Sequence, residues 1–357
     1  MVLLGSTGSI GTAALDIARR FSLPVETLVA GNNAALLQQQ IDEFQPKRVV
    51  IGTAEGAAAL RHPDVRHGEA AILAAIEESQ SPVVLNALVG FLGLKPTLKA
   101  IECRKRVALA NKESLVAAGK FVDVSKIHPV DSEHFGLWYL QSGRPIERLI
   151  LTASGGALRD LPIENIENAP LEAVLKHPNW AMGSKITIDS ATMVNKLFEV
   201  LEARWLFGDV AIDGVIERSS IVHALIEFKD GCTTAQLSRA DMRLPIAHAL
   251  LERVETPIAD PVNLTALAAL RFEPIDLARY PVWALKEPLL KTPELGAVVN
   301  AANEAALLRY LNKEIAFGGI ARLILAAFER FQTPPQNLEA VFALDAEVRN
   351  WCQRAQI

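Results

Sequence analysis

Cysteine is scarce, with Cys103, Cys232 and Cys352 forming an odd set at wide spacing and no Cys-x-x-Cys pair. That excludes a disulfide framework and a cysteine zinc site, and it fits reduced thiols in a cytosolic protein. A basic excess is also missing: 36 Lys and Arg against 41 Asp and Glu give 36 − 41 = −5. A nucleic-acid surface as the main business is therefore not expected. Half the residues are apolar, yet the longest uncharged stretch, Ser79 to Leu94, contains Ser, Gln, Pro, Asn and Gly and is too short for a bilayer span. No membrane partner is expected. The opening Met1-Val2-Leu3-Leu4 runs into glycine without the basic region and apolar core of a signal peptide, so the expected location is cytoplasmic. Repeats and low-complexity tracts are absent too.

What is present is an alternation of short strands and helical patterns in the first third of the 357 residues. Val2-Leu4, Thr27-Ala30, Arg48-Ile51, Pro82-Leu88 and Arg106-Ala110 read as strands, separated by helical spacing over Ser9-Arg20, Asn33-Phe44, Glu69-Glu78 and Gly93-Arg104. The reading is α/β: a Rossmann-like parallel sheet over residues 1–129. Residues 130–256 read as a central α+β domain, with strands including Arg148-Thr152, Ile186-Ile188, Val215-Glu217, Ile221-Glu227 and Thr233-Leu237. A proline-rich connector is expected over 257–284 and a C-terminal helical bundle over 285–357. Trp138, Trp205, Trp283 and Trp351 fall in apolar periodic stretches and are expected in the core.

Gly5-Ser6-Thr7-Gly8-Ser9-Ile10-Gly11 follows the first strand and opens the first helix, where backbone N–H groups and the helix dipole can hold a pyrophosphate. Strand before and helix after are the context this variant dinucleotide fingerprint requires. The second strand ends Ala30-Gly31-Asn32-Asn33 with no carboxylate to repel a 2′-phosphate, which favours NADP over NAD.

Asp131 and Glu133 lie two apart after a strand-like run, where extended residues i and i+2 face one way. Glu199 lies on a helical segment with Asn195 and Lys196 at four and three residues' distance, so these can address one pocket. Oxygen-only ligands point to Mg²⁺ or Mn²⁺. Ser154-Gly155-Gly156, Ser190, Asn195 and Lys196 supply the hydroxyls, amide and cation that a phosphate monoester needs. His177 to Gly183 joins an imidazole to Trp180 in a loop suited to a water-excluding cover.

With these motifs in this order, and with Ala110-Asn111-Lys112-Glu113-Ser114-Leu115, Glu202 to Phe207, Asp241-Met242-Arg243 and Asn300 to Glu304, the sequence resembles the 1-deoxy-D-xylulose 5-phosphate reductoisomerases over nearly its whole length. The resemblance implies conversion of that sugar phosphate to 2-C-methyl-D-erythritol 4-phosphate in non-mevalonate isoprenoid synthesis. It implies NADPH contacts from Thr7, Gly8, Ser9, Ile10, Gly31, Asn32, Asn33, Asn111, Glu113 and Gly183, and divalent-metal ligands Asp131, Glu133 and Glu199. Substrate contacts are implied for Lys112, Ser132, Glu133, Ser154, His177, Trp180, Ser190, Asn195, Lys196 and Glu199. Lys112, Glu133, His177 and Glu199 are implied as the catalytic set, and the family is homodimeric. The chain departs from the family pattern at Asn32, at Leu197 where glycine is usual, and at Glu217-Arg218-Ser219-Ser220. Competing readings are a metal-free NADP dehydrogenase and a non-catalytic, degenerate NADP-binding paralogue.

Overall fold

The computed structural model describes residues 1–251 and 253–356, which form two compact units. The first comprises Met1–Ser114, Asp123–Ser132 and Asp241–Asp260. Its seven strands are β1 (Val2–Leu4), β2 (Thr27–Ala30), β3 (Arg48–Ile51), β4 (Val65–His67), β5 (Val83–Asn86), β6 (Arg106–Leu109) and β7 (Ile127–Pro129). They run parallel in the order β4-β3-β2-β1-β5-β6-β7. The strand order reverses at β1, and a ligand crevice is expected beyond the carboxyl ends of the strands at such a point. β1 is buried along its length because a parallel sheet is covered on both faces.

The second unit comprises Leu115–Val122, Glu133–Ala240 and Pro261–Ile357, the last residue lying outside those described. It contains β8 (Ile146–Ala153), β9 (Ala211–Glu217), β10 (Val222–Phe228), β11 (Thr233–Leu237) and β12 (Phe272–Pro274), ordered β11-β10-β8-β9-β12. Among the described residues of this sheet, β8 and β9 alone pair in parallel. The crossover between them ends in the helices Ser184–Thr192 and Val194–Phe207, separated at Met193 in a left-handed conformation. Leu197, bulky where the family pattern expects glycine, is fully buried in this unit's core, a burial that contributes roughly 2 kcal/mol.

Four expectations change. Ile186–Ile188 lies in a helix, whose frame is set by Thr187 Oγ1 donating to the Gly183 carbonyl and by the Lys185–Asp189 pair at 2.7 Å. β-branched residues thus lose their strand preference to tertiary packing. Asp241–Asp260 groups with the first unit, since Ile246, Ala247, Ala249 and Ile258 fill its core. The stretch expected as connector holds β12, and the helices Gly296–Leu311, Phe317–Arg330 and Leu338–Arg354 share one core with the second sheet. Trp138 is 40% exposed on the helix Ser132–Leu140, not core.

Candidate active site

In the first unit the glycine loop turns sharply out of β1. Gly5 has φ +85°, and a Cβ there would meet the Ala87 carbonyl oxygen at 2.5 Å; one on Gly11 would meet the Gly5 oxygen at 2.2 Å. Only glycine fits at either position. The helix Ser9–Arg20 begins without a side-chain cap and without an acidic residue in its first turn, so its N–H groups face outward as an anion site. Thr7, Gly8, Ser9 and Ile10 sit at that exposed or half-exposed rim, as do Gly31, Asn32 and Asn33. Asn33 caps the helix Ala34–Phe44 by accepting from Leu36 N–H at 3.1 Å.

Asn111 is engaged on every side. Its Nδ2 donates to the Leu88 and Gly90 carbonyls at 2.8 Å each and to Glu113 Oε2 at 3.1 Å, while its Oδ1 accepts from Ser114. It staples the loop after β6, and buried Glu113 belongs to the same knot. The buried Lys112 ammonium lies 2.5 Å from Asp131 Oδ2.

The sequence treats Asp131 and Glu133 as extended neighbours, but a helix starts at Ser132 and places Glu133 in its first turn. A carboxylate is favoured there by the helix dipole. Within the second unit Lys196 Nζ donates to Glu133 Oε1 at 2.6 Å and also to Glu199 Oε2, and Asn195 Nδ2 donates to Glu199 Oε1 at 2.6 Å. Burial acts to lower the Lys196 pKa, and the two carboxylates outweigh it and raise it, so the ammonium persists. The sequence assigns Asn195 and Lys196 to phosphate; the structure sets both against Glu199.

Two residues that sequence reasoning left without a role support this cluster. His134 is fully buried and its Nε2 donates to the Glu199 carbonyl at 2.9 Å, while its Nδ1 lies 3.3 Å from Glu202 Oε2. The signal was available: Glu202 follows Glu199 by three residues, one turn along the same helix face.

Ser154, at the end of β8, shares its Oγ with His177 Nε2 at 2.8 Å. His177 Nδ1 accepts from the N–H groups of Asn179 and Trp180, so Nε2 carries the proton and donates to Ser154. Gly156 N–H also donates to Ser154 Oγ, leaving that hydroxyl's proton for another acceptor. Gly156, at φ +69°, brings this loop against the Ser190–Ala191 backbone, where a Cβ would come within 2.6 Å of the Ser190 oxygen. Trp180 is half-buried and edge-on to His223, with ring centroids 6.0 Å apart. Gly183 is the residue before the helix Ser184–Thr192, and Ser132 is half-buried at the start of its own helix.

The departing Glu217 segment is a turn staple. Glu217 Oε1 accepts from Ser219 N and Oγ and Oε2 from Ile221 and Val222 N–H, closing the β9–β10 connection. Asn179 Nδ2 donates to the Arg218 carbonyl and to Ser220 Oγ, which ties the Trp180 loop to that turn.

Burial and then Arg159 push the His177 pKa down to about 4. The unfolded chain takes up this proton near pH 6.5 and the folded chain only near 4, so stability falls as pH drops through that window and is level above it. His177→Phe is therefore expected to lose less melting temperature than the parent between about pH 7 and about 4.5. Equal losses in thermal melts would contradict the assignment.

Family profiles described as 1-deoxy-D-xylulose 5-phosphate reductoisomerase match residues 1–119, as its C-terminal domain residues 127–207, and as DXP reductoisomerase C-terminal domain residues 237–351. A reductoisomerase of that name from Wolinella succinogenes is 56% identical over 99% of this chain and all of its own length. One from Helicobacter pylori is 51% identical, with 98% of each chain covered. A solved DOX-P reductoisomerase in complex with NADPH, fosmidomycin and magnesium superposes with TM-score 0.92 at 32% identity, covering 99% of this chain and 97% of that one. The enzyme from Zymomonas mobilis in complex with NADPH gives TM-score 0.86 at 34% identity, covering 98% of this chain and 97% of its own. Family profiles spanning most of the chain, together with relatives more than half identical end to end, establish that the chain belongs to the 1-deoxy-D-xylulose 5-phosphate reductoisomerase family.

Proposed function

We propose that the chain rearranges 1-deoxy-D-xylulose 5-phosphate and reduces the product to 2-C-methyl-D-erythritol 4-phosphate, with NADPH and a divalent cation, Mg²⁺ or Mn²⁺. The observation that carries this is the convergence of Glu133 and Glu199 on a single ammonium, in a family whose relatives bind NADPH and magnesium. A donor set of carboxylate oxygens with no nitrogen or sulfur fits a hard divalent ion. Glu133 and Glu199 would supply carboxylate oxygens to it, and Asp131 is the third ligand that the family resemblance implies. When bound, the cation supplies charge stabilisation at the substrate's ketone and adjacent hydroxyl, and NADPH supplies hydride.

The chain's own residues bind and orient. With a divalent cation bound, Lys196 would pair with the substrate phosphate beside Ser154, Ser190 and Asn195. The Ser154 hydroxyl is ready to donate, since His177 Nε2 and Gly156 N–H already fill its acceptor side. Lys112, beside Asp131, orients the reacting end of the sugar and is the candidate for proton transfer. Trp180 closes over the site and excludes water. Thr7, Gly8, Ser9, Ile10, Gly31, Asn32, Asn33, Asn111, Glu113 and Gly183 bind the cofactor, with Asn111 acting through the loop it staples. Ser132 completes the substrate contacts.

The protein acts as a homodimer in the cytoplasm on this reading, supported by the family resemblance and by Trp138 and Tyr139, which are exposed on one helix. No helix among the described residues is long and apolar enough to cross a membrane. The turn role of Glu217 accounts for the departure that favoured a degenerate paralogue.

The test is loss of NADPH absorbance on adding 1-deoxy-D-xylulose 5-phosphate, with Mg²⁺ or with EDTA. Turnover with Mg²⁺ and none with EDTA is expected. Equal rates in both would favour the metal-free dehydrogenase, and no methylerythritol phosphate in either would favour a non-catalytic paralogue.

A further inference from the structure

We propose that Gln40 is a positioning residue for the nucleotide pyrophosphate, acting through the glycine loop; this rests on the NADPH-binding reading above. Gln40 lies on the buried face of the helix Ala34–Phe44 with Leu37 and Ile41, at 5% exposure. An amide in that apolar stripe carries a desolvation cost that leucine would not. Its Nε2 donates to the Ser6 carbonyl at 2.9 Å, and its Oε1 makes no hydrogen bond, so the loop is the single polar engagement of this side chain.

The peptide geometry says what that engagement does. Across a trans peptide the carbonyl of one residue and the N–H of the next point in opposite directions. No cis bond is present among the described residues, so drawing the Ser6 carbonyl inward to Gln40 aims the Thr7 N–H outward. From the inner side, the Gly5 and Ser6 N–H groups are tied to the Val29 carbonyl at 2.8 Å each. The first loop N–H turned outward is thus that of Thr7, at the open N-terminus of the helix Ser9–Arg20. The same helix that carries Gln40 begins at Asn33, after the loop expected to meet the adenosine ribose. Gln40 therefore holds two cofactor loops in register, and a residue there that cannot donate leaves the Ser6–Thr7 peptide free to rotate.

The experiment is fluorescence titration of NADPH into the parent, Gln40→Met and Gln40→Glu, both close in size and neither donating as the amide does at neutral pH. The NADPH Kd is expected to rise about tenfold in both, the equivalent of one lost hydrogen bond, while kcat at saturating NADPH and the KM for the sugar phosphate stay within twofold. With threonine ¹⁵N-labelled, the Thr7 amide resonance should shift on NADPH addition in the parent and shift less in Gln40→Met. Kd values within twofold of the parent would overturn the proposal, as would equal losses in Kd, kcat and sugar-phosphate KM, which mark general damage. If Gln40→Met does not fold, Gln40→Glu alone decides on the same readings. A parent that binds no NADPH would defeat the nucleotide reading itself, an outcome distinct from variants that bind normally.

Discussion

Glu199→Gln is expected to lower kcat about a thousandfold and to leave the NADPH Kd within twofold of the parent. Glu199 is 1% exposed, and both its oxygens accept from cationic or amide donors, Lys196 Nζ and Asn195 Nδ2. Glutamine keeps one acceptor and turns an NH₂ toward one of those donors, so the swap loses a hydrogen bond and opposes two donors in a dry site. More damaging is the loss of one negative charge from the set expected to hold the divalent cation. About 4 kcal/mol of charge stabilisation corresponds to roughly a thousandfold in rate. The glycine loop belongs to the other compact unit, and nothing in its hydrogen bonding to Val29 or Gln40 involves Glu199. Steady-state kinetics beside a fluorescence titration separates the two effects, and a parallel loss of NADPH binding would contradict it.

Lys196→Met is expected to make the fold depend on divalent metal. The ammonium is 3% exposed and is the shared partner of Glu133 and Glu199. Without it the buried Glu199 carboxylate faces the half-buried Glu133 carboxylate, and breaking a buried pair in this way costs about 3 to 5 kcal/mol. In EDTA the variant should melt well below the parent, by roughly 10 °C for a unit of this size. Mg²⁺ should restore much of that loss, because a cation held by the folded state alone adds stability by mass action. The sugar-phosphate KM should still rise tenfold to a hundredfold in Mg²⁺, since the phosphate loses a charge-assisted contact of about 1.5 to 3 kcal/mol. A variant as stable as the parent in EDTA would show that Lys196 is not the counter-ion of these carboxylates.

The sequence made the local features of this site legible and hid the long-range ones. Gly5, Gly8 and Gly11 stand out because strand, loop and helix follow within one short stretch, and close packing at Gly5 and Gly11 admits no other residue. Lys196 and Glu199 are three apart on one helix, so their meeting follows from helical period alone. The contact between Lys196 and Glu133 spans 63 residues and exists only because the β8–β9 crossover returns its helix to the one that starts at Ser132. The contacts of His134 with Glu199 and Glu202 depend on the same return, whereas the place of Glu202 one turn after Glu199 is legible from helical period. Ile186–Ile188 misled because β-branched preference yields to tertiary packing, here the burial of Thr187 and Ile188 on a helix. The segment 241–260 rejoins the first sheet through Ile246, Ala247 and Ile258, a return that a linear reading of the chain gives no sign of.

Mn²⁺ binding followed by the electron paramagnetic resonance of the free ion tests the carboxylate cluster most directly, since it reads the metal without turnover. The parent is expected to remove about one Mn²⁺ per chain from solution, and Glu199→Gln at the same concentrations to remove almost none, a hundredfold or greater loss of affinity being expected when a direct ligand is lost. Equal Mn²⁺ uptake by the two proteins would contradict the account.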